Sequence, residues 1–318
     1  MMVSSQIGRL MSTAPLCVIG NPAAARGHAT ASFRRIQRLL GAQADFQFSR
    51  SPGHAEELAR AAALQGYATV VAAGGDGTVH EVANGVLQAG RSDVTFGVIP
   101  LGSGNDYAAC LQTPTDLREL CQNLLTGPSA AVDVGEVSDL SGRQRFFVNT
   151  LGLGLSGAVT WESRRIKGLR GLALYGLAAI RAIQRQFHVL ETVLTFDDQR
   201  SDLPTLYMSI ALGQREGGGF IVAPDAKLDD GLFDYLHAGR LTRLQSLAYL
   251  PRLALGKLPD HDPIVRRGQC RKLIVESKSP LIVHVDGEMF AHPSDAVNYL
   301  QIRLLPRRLL IRGRSETW

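Results

Sequence analysis

The sequence predicts an α/β protein in two parts: an N-terminal three-layer domain built on a mostly parallel sheet, then a C-terminal domain built as an antiparallel β-sandwich. Three observations predict it. Up to about residue 125, apolar β-branched runs alternate with amphipathic helical patterns, as in a parallel sheet covered on both faces. After Pro128 short strand patterns dominate. Within the first part, residues 68–86, ATVVAAGGDGTVHEVANGV, turn a buried strand sharply into a helix through glycines.

Taken in order, Pro15–Gly20 is the first strand, followed by Asn21-Pro22 and the small-residue run AAARG. Ala29–Leu40 places apolar and basic residues at helical spacing. Ala44–Phe48 is a second strand. Gly53–Leu64 is a second helix, with Leu58, Ala61, Ala62 and Leu64 on its apolar side. Thr69–Ala73 is the central strand. A helix is expected from Thr78, where Thr78 and Glu81 have capping-box spacing. Val94–Ile99 is a further strand, ending in PLGSGNDY, and Thr115–Leu125 another helix. Beyond Pro128, strands are expected over 131–137, 144–150, 189–196, 205–212, 232–238, 272–276 and 281–285. Only 155–187 and 241–255 read as helical. The tail from Val297 to Ile311 carries two short apolar runs split by Pro306. The expected domains are residues 1–130 and 131–296, with the tail, about 297–318, packing back on the first.

Composition narrows the classes. The formal charge is +5, and the basic excess sits in local clusters such as Arg164, Arg165, Lys167 and Arg170. Such clusters suit ATP or anionic lipid, or are solvated faces. They lack aromatic interleaving and no nucleic-acid module is recognised, which points away from nucleic acid. The four cysteines are far apart, without metal-ligand or CxxC spacing, so free thiols in a reducing compartment are expected. Residues 1–15 lack the sustained apolar core of a signal peptide. The most apolar helical segment, Leu169–Ile183, is too short to span a bilayer. The expected location is cytoplasmic, with any lipid reached from the membrane surface, and a homodimer stays open.

Chemistry concentrates in a few stretches. Gly74-Gly75-Asp76-Gly77-Thr78 joins strand to helix, where backbone N–H groups and the positive helix end cradle phosphates. Asp76 would repel an anion unless a cation lies between them or it takes a proton from an attacking hydroxyl. Both roles belong to phosphoryl transfer with Mg²⁺. The plainer reading is a tight turn that carries Asp. With Asp76 and Asp106, Asp133 in the apolar run AAVDV would complete an acidic cluster for one Mg²⁺; otherwise it is an edge-strand carboxylate facing water. Residues 224–234, PDAKLDDGLFD, form either a structural cation loop or an Asp-rich hairpin turn. In Ile282–Phe290, IVHVDGEMF, an extended strand puts His284, Asp286 and Glu288 on one side, as for a general base oriented by its neighbour. The alternative is a hairpin corner at Asp286-Gly287.

Together these motifs resemble the diacylglycerol kinase catalytic-domain family, which includes sphingosine and ceramide kinases and small bacterial lipid kinases. The resemblance rests on GGDGT at 74–78 followed by HEVANGV, PLGSGND at 100–106, DDG at 229–231 and VDGE at 285–288, and it covers nearly the whole chain. It implies a nucleotide-binding domain similar to those of NAD kinases and 6-phosphofructokinases, a β-sandwich that receives lipid, and ATP in the cleft between them. It implies nucleotide contacts by Asn21, Ser49, Gly74, Gly75, Asp76, Gly77, Thr78, Glu81, Ser103 and Asn105. Asp76, Asp106 and Asp133 become the network around catalytic Mg²⁺. Lys227 and Leu232 through their carbonyls, with Asp230, become a structural Mg²⁺ site. Glu288 becomes the base, with Asp286 beside it; in sphingosine kinases the glycine-loop aspartate has that role, so Asp76 is the rival.

The chain departs from the family at Ala25, where many relatives have glycine in NPxxG, and at Ser103-Gly104, where Thr is usual. The implied reaction is in-line transfer of the γ-phosphate of ATP to the hydroxyl of a lipid alcohol such as diacylglycerol. The apolar and basic mix of 155–187 either lines the slot for the lipid tail, docks on an anionic membrane, or is an ordinary helix packed on the sandwich. The alternatives are NAD kinase-like phosphorylation of a soluble nucleotide and a non-catalytic nucleotide-binding regulator.

Overall fold

A computed structural model describes residues 15–22, 29–258 and 264–313. The leader reading of residues 1–14, most of the AAARG loop with Ala25, and the end of the tail lie outside the described residues. In the first part, β1 (Leu16–Gly20), α1 (Ala29–Leu40), β2 (Ala44–Phe48), α2 (His54–Gln65), β3 (Thr69–Gly74), α3 (Asp76–Gln88), β4 (Thr95–Pro100), α4 (Asp106–Cys110) and α5 (Leu117–Thr126) follow one another. The parallel order is β2-β1-β3-β4. Alternation along β1 explains the layers. Cys17 and Ile19 pack with Ala55, Ala59, Val82 and Val86 of α2 and α3 on one face. Leu16 and Val18 pack with Phe33, Ile36, Leu120 and Leu124 of α1 and α5 on the other. Helices α2 and α3 lie close because Gly85 meets the α2 backbone; a Cβ there would stand 2.3 Å from the Glu56 carbonyl oxygen.

The second part runs β5 (Ser129–Ser138), β6 (Gln144–Phe147), β7 (Thr150–Gly154), α6 (Leu155–Ser163), α7 (Gly171–Arg185), β8 (Leu190–Phe196), β9 (Gln199–Thr205), β10 (Tyr207–Ala211), β11 (Arg215–Glu216), β12 (Phe220–Ile221), β13 (Phe233–Ala238), α8 (Arg243–Ala254), β14 (Val265–Cys270), β15 (Lys272–Ser277), β16 (Val283–Val285), β17 (Glu288–Ala291) and β18 (Tyr299–Arg312). A six-stranded antiparallel sheet, β14-β13-β10-β7-β16-β17, faces β5, β15, β8 and their neighbours across an apolar core. The stacked rings of Phe147 and Phe233, 5.6 Å apart, belong to that core. This is the α/β-plus-sandwich architecture the sequence predicts.

Strand β18 runs through both parts. Its end pairs in parallel with β4, from Leu310 opposite Thr95 to Arg312 opposite Gly97, while β5 and β15 flank it antiparallel. Pro306 therefore does not split the tail into two elements. It sits in a single strand whose register shifts between Leu305 and Leu309, with Arg307 at φ 48°.

Other elements differ from expectation for identifiable reasons. The strand expected over 144–150 divides into β6 and β7, because the amides of Val148, Asn149 and Thr150 turn toward Asp286. The helical stretch 155–187 is two helices, interrupted by the basic segment 164–170 with Gly168 at φ 89°. Strands β9 and β14 carry polar and basic residues on exposed faces and gave no apolar run to read. No helix among the described residues is long and apolar enough to cross a membrane.

Candidate active site

Three backbone turns converge at the carboxyl ends of β3 and β4. Helix α3 begins at Asp76, two residues earlier than the capping-box spacing suggests, and its N-cap Gly75 carries no side chain. The glycines let two loops touch: a Cβ on Gly102 would stand 2.4 Å from the Gly75 Cα. Asp76 then bridges them. Its Oδ2 accepts the Asn105 N–H and its Oδ1 the Asp106 N–H, both at 2.8 Å. Asn105, left-handed at φ 56°, staples its own loop by bonding both the N–H and the carbonyl of Gly102. Asp106 passes the linkage on, since its Oδ2 accepts the Gly218 N–H at 2.7 Å.

These carboxylates are held against their preference for water. Burial raises Asp76 above the ordinary carboxylate range, opposed by the N–H groups of Asn105, Asp106 and Tyr107. Burial, then the Asp76 charge, pushes Asp106 up to about 7. A buried pair of this kind suits a divalent cation, which takes one or two carboxylates and completes its shell with phosphate oxygens and water. The two residues therefore fit Mg²⁺.

Asp133 is not with them. It is fully buried, its Oδ2 accepts the Gly231 N–H and its Oδ1 the Arg307 N–H, each at 2.7 Å. Those bonds join β5 to the DDG turn and to the irregularity in β18, which is why a carboxylate is tolerated inside that apolar strand. In the DDG turn, Gly231 is left-handed at φ 76° and the exposed Asp230 accepts the Leu232 N–H at 3.1 Å; Lys227 is exposed. Among the described residues no three His, Cys, Asp or Glu side chains are grouped to hold a metal.

The expected capping box is replaced by a longer-range cap. Glu81 reaches across to α2, where its two oxygens accept the N–H groups of Gly53 and Ala55 at 2.9 and 3.0 Å. Thr78 packs its side chain over Gly74, the buried last residue of β3. Ser49 lies at the end of β2, beside the Gly20 carbonyl.

The VDGE segment is a hairpin, not an extended strand. Asp286 at φ 50° and Gly287 at φ 81° form its two-residue corner between β16 and β17. Asp286 is fully engaged: it accepts N–H bonds from Val148, Asn149 and Thr150 at 3.1, 2.9 and 3.1 Å, and lies 3.0 Å from His80 Nδ1. Glu288 stands apart from it, half-exposed, 2.5 Å from an Arg164 nitrogen and close over Gly77. His284 turns away from both, with Nε2 2.9 Å from Ser156 Oγ.

Two cavities meet here. One is a polar cleft lined by Asn21, Ser49, Gly75, Gly77, Thr78, Ser103, Arg164, Arg170 and Glu288. The other is an apolar cavity lined by Leu155, Val159, Ala179 and Ile183 from α6 and α7 and by Tyr249, Leu250 and Leu253 from α8. Asp76 and Tyr175 line both. Tyr175 falls in the stretch 155–187 that the sequence offers as a slot lining, whereas the α8 wall and the Glu216 carboxylate were not legible as site residues. For Glu216 a signal was present: it precedes three glycines, all with positive φ.

The diacylglycerol kinase catalytic domain model matches residues 15–137, and the model of the YegS C-terminal NAD kinase beta sandwich-like domain matches 149–311. A probable lipid kinase YegS-like of Chromohalobacter salexigens is 32% identical over 76% of each chain. A diacylglycerol kinase of Staphylococcus saprophyticus is 28% identical over 70% of this chain and 71% of its own. The fold is shared with a putative diacylglycerol kinase from Bacillus anthracis str. Sterne, with a TM-score of 0.76 at 21% identity, covering 95% of this chain and 97% of that one. With both halves of the chain matched in order and the GGDGT turn at the meeting point of the two cavities, the chain belongs to the YegS-like lipid kinases of the diacylglycerol kinase catalytic-domain family.

Proposed function

We propose that the chain transfers the γ-phosphate of ATP to a hydroxyl of a lipid alcohol, diacylglycerol or a related lipid. The observation that carries this is the meeting of a polar, glycine-lined cleft and an apolar cavity at Asp76 and Tyr175. The phosphates lie on the Gly75–Thr78 turn at the N-terminus of α3, with Arg164 and Arg170 on the opposite wall. The acyl chain lies among Val159, Ile183 and Leu250, so its hydroxyl is delivered to the Asp76 end. Residues 1–130 with the last strand then form the nucleotide side, and 131–296 the lipid side.

Asp76 takes the proton from the attacking hydroxyl in this reading, because it faces both the phosphate cleft and the lipid cavity. Glu288 faces only the cleft and is held by Arg164. Asp286 acts by positioning: it fixes the turn between β6 and β7. Mg²⁺ held by Asp76 and Asp106 would neutralise charge on the transferring phosphoryl group.

The lipid is reached from a membrane surface. Helices α7 and α8 are neighbours, and both expose leucines or isoleucine, namely Leu172, Ile180, Leu244 and Leu247, while Arg165, Lys167 and Arg170 precede α7 in the chain and Arg243 opens α8. Apolar side chains flanked by cations are what an anionic bilayer surface binds. The four free cysteines agree with a cytoplasmic site.

The test is transfer of labelled γ-phosphate to lipid alcohols in mixed micelles, with Asp76→Asn and Glu288→Gln beside the unmodified chain. Label in lipid that is lost in Asp76→Asn and retained in part in Glu288→Gln is expected. Full loss in Glu288→Gln with activity in Asp76→Asn would move the base to Glu288. Label in NAD but no lipid would overturn the reading.

A further inference from the structure

The apolar cavity has a polar wall that the transfer reaction does not use. Glu216 ends β11, in a hairpin closed by Gly217, Gly218 and Gly219 at φ 63°, 72° and 126°. Its Oε1 accepts the Tyr207 hydroxyl at 3.0 Å and the Ser156 hydroxyl at 3.3 Å; its Oε2 accepts the Ser209 hydroxyl at 3.1 Å. Ser156 Oγ in turn takes the His284 Nε2–H at 2.9 Å, because His284 Nδ1 accepts the Gly287 N–H at 3.3 Å. Burial keeps that imidazole neutral by lowering its proton affinity.

Every proton in the network is thus spent inward, on Glu216 or on Ser156. What the cluster turns toward the cavity is oxygen lone pairs. A carboxylate has about four acceptor positions, and three are filled here, which leaves one open. Glu216, Tyr207, Ser156 and His284 all line the cavity, and no lysine or arginine is among the described residues lining it. The cluster is also tied to the reacting end, since Gly218 of the same hairpin donates to Asp106.

We propose that the Glu216 cluster selects lipid alcohols that carry a second hydrogen-bond donor, an ammonium, amide N–H or further hydroxyl, beside the hydroxyl that is phosphorylated. The inference rests on the lipid kinase reading and narrows its substrate. A diester of glycerol offers only its reacting hydroxyl; its ester carbonyls would meet lone pairs, leaving the open position of Glu216 unpaired in an apolar cavity.

The test compares kcat/KM in mixed micelles for four probes: 1,2-dioleoylglycerol, a monoacylglycerol, a long-chain 2-amino-1,3-diol and its N-acyl derivative. At least one donor-bearing probe is expected to exceed dioleoylglycerol about 10- to 100-fold, the range lost when a polar partner of a charged acceptor is missing. Preference for the amine alone identifies an ammonium; preference shared with the N-acyl compound or the monoacylglycerol identifies a neutral donor. Glu216→Gln, which has one carbonyl oxygen and an N–H₂ in place of two acceptors, is expected to reduce that ratio at least tenfold. Tyr207→Phe, which keeps the ring, is expected to reduce it by a smaller factor and serves if Glu216→Gln does not fold. Equal turnover of all four probes, or a ratio unmoved by both variants, overturns the inference and leaves the lipid kinase reading intact. Transfer to none of the lipids by a chain that binds ATP overturns both.

Discussion

Asp106→Asn is expected to make the chain more stable and less active at once. Burial and the Asp76 charge push Asp106 from an ordinary 3.8 up to about 7. Between those values the native chain holds a proton that the unfolded chain has released. Stability therefore falls as pH rises through that window and levels off above about 7. A shift of roughly 3 pH units is worth about 4 kcal/mol at ~1.4 kcal/mol per unit. Asparagine has the same shape, its carbonyl oxygen can still accept the Gly218 N–H, and it carries no charge to set against Asp76. Without divalent cations the variant should gain up to about 4 kcal/mol over the unmodified chain at pH 8 and almost nothing near pH 4. The assay is urea unfolding at pH 4, 6 and 8 in chelator, with m unchanged between variants so that the midpoints report stability. Phosphoryl transfer should fall by about 100-fold or more in the same variant, since one of the two carboxylates that would hold Mg²⁺ is lost. Equal or lower stability of Asp106→Asn at pH 8 would show that the carboxylate is not held against its preference, and the case for a cation site at Asp76 and Asp106 would lose its electrostatic basis.

Asp286→Ala should act mainly on folding. Three backbone amides lose a charged acceptor, and at about 1–3 kcal/mol for each unsatisfied group the loss is about 3–9 kcal/mol, read by the same unfolding assay. A variant within about 1 kcal/mol of the unmodified chain but without activity would instead place Asp286 among the reacting groups. Glu81→Ala removes the cap of α2 and should cost about 1 kcal/mol, with a melting temperature lower by roughly 2–4 °C. Gly102→Ala would put a Cβ 2.4 Å from the Gly75 backbone, so the two loops must separate; calorimetry should show ATP affinity reduced about tenfold or more, and unchanged affinity would mean the loops do not hold phosphate together.

Much of this was legible because the first part obeys simple periods. Strands β1, β3 and β4 are buried on both faces and read as continuous apolar runs, and the turns at their carboxyl ends are where a parallel sheet places its ligands. Strands β9 and β14 were not legible, because an exposed, polar face gives no alternation to count. The interruption between α6 and α7 is marked in sequence only by Gly168 and Gly171 among apolar and basic residues. Glu216 escaped notice for another reason. Its partners Ser156, Tyr207 and Ser209, and the His284 that bonds Ser156, come from β10, β16 and the start of α6, and only the folded sheet brings them to one wall.

The acidic motifs show where sequence reasoning stops. A carboxylate within two residues of a glycine marks each of them, at Gly75-Asp76-Gly77, Gly104-Asn105-Asp106, Asp230-Gly231 and Asp286-Gly287, and each looks equally ready for chemistry. In the fold their tasks separate. Asp286 and Asp133 spend their oxygens on backbone amides of other segments, and Glu81 does the same for α2. Asp76 also accepts two amides, yet it alone of these also faces the cleft and the cavity together. Turns that bring distant loops within reach require glycine, and the free N–H groups of those loops require acceptors; a phosphate site needs the same two ingredients. Positioning and catalysis therefore leave the same residue signature, and only the direction each oxygen faces tells them apart.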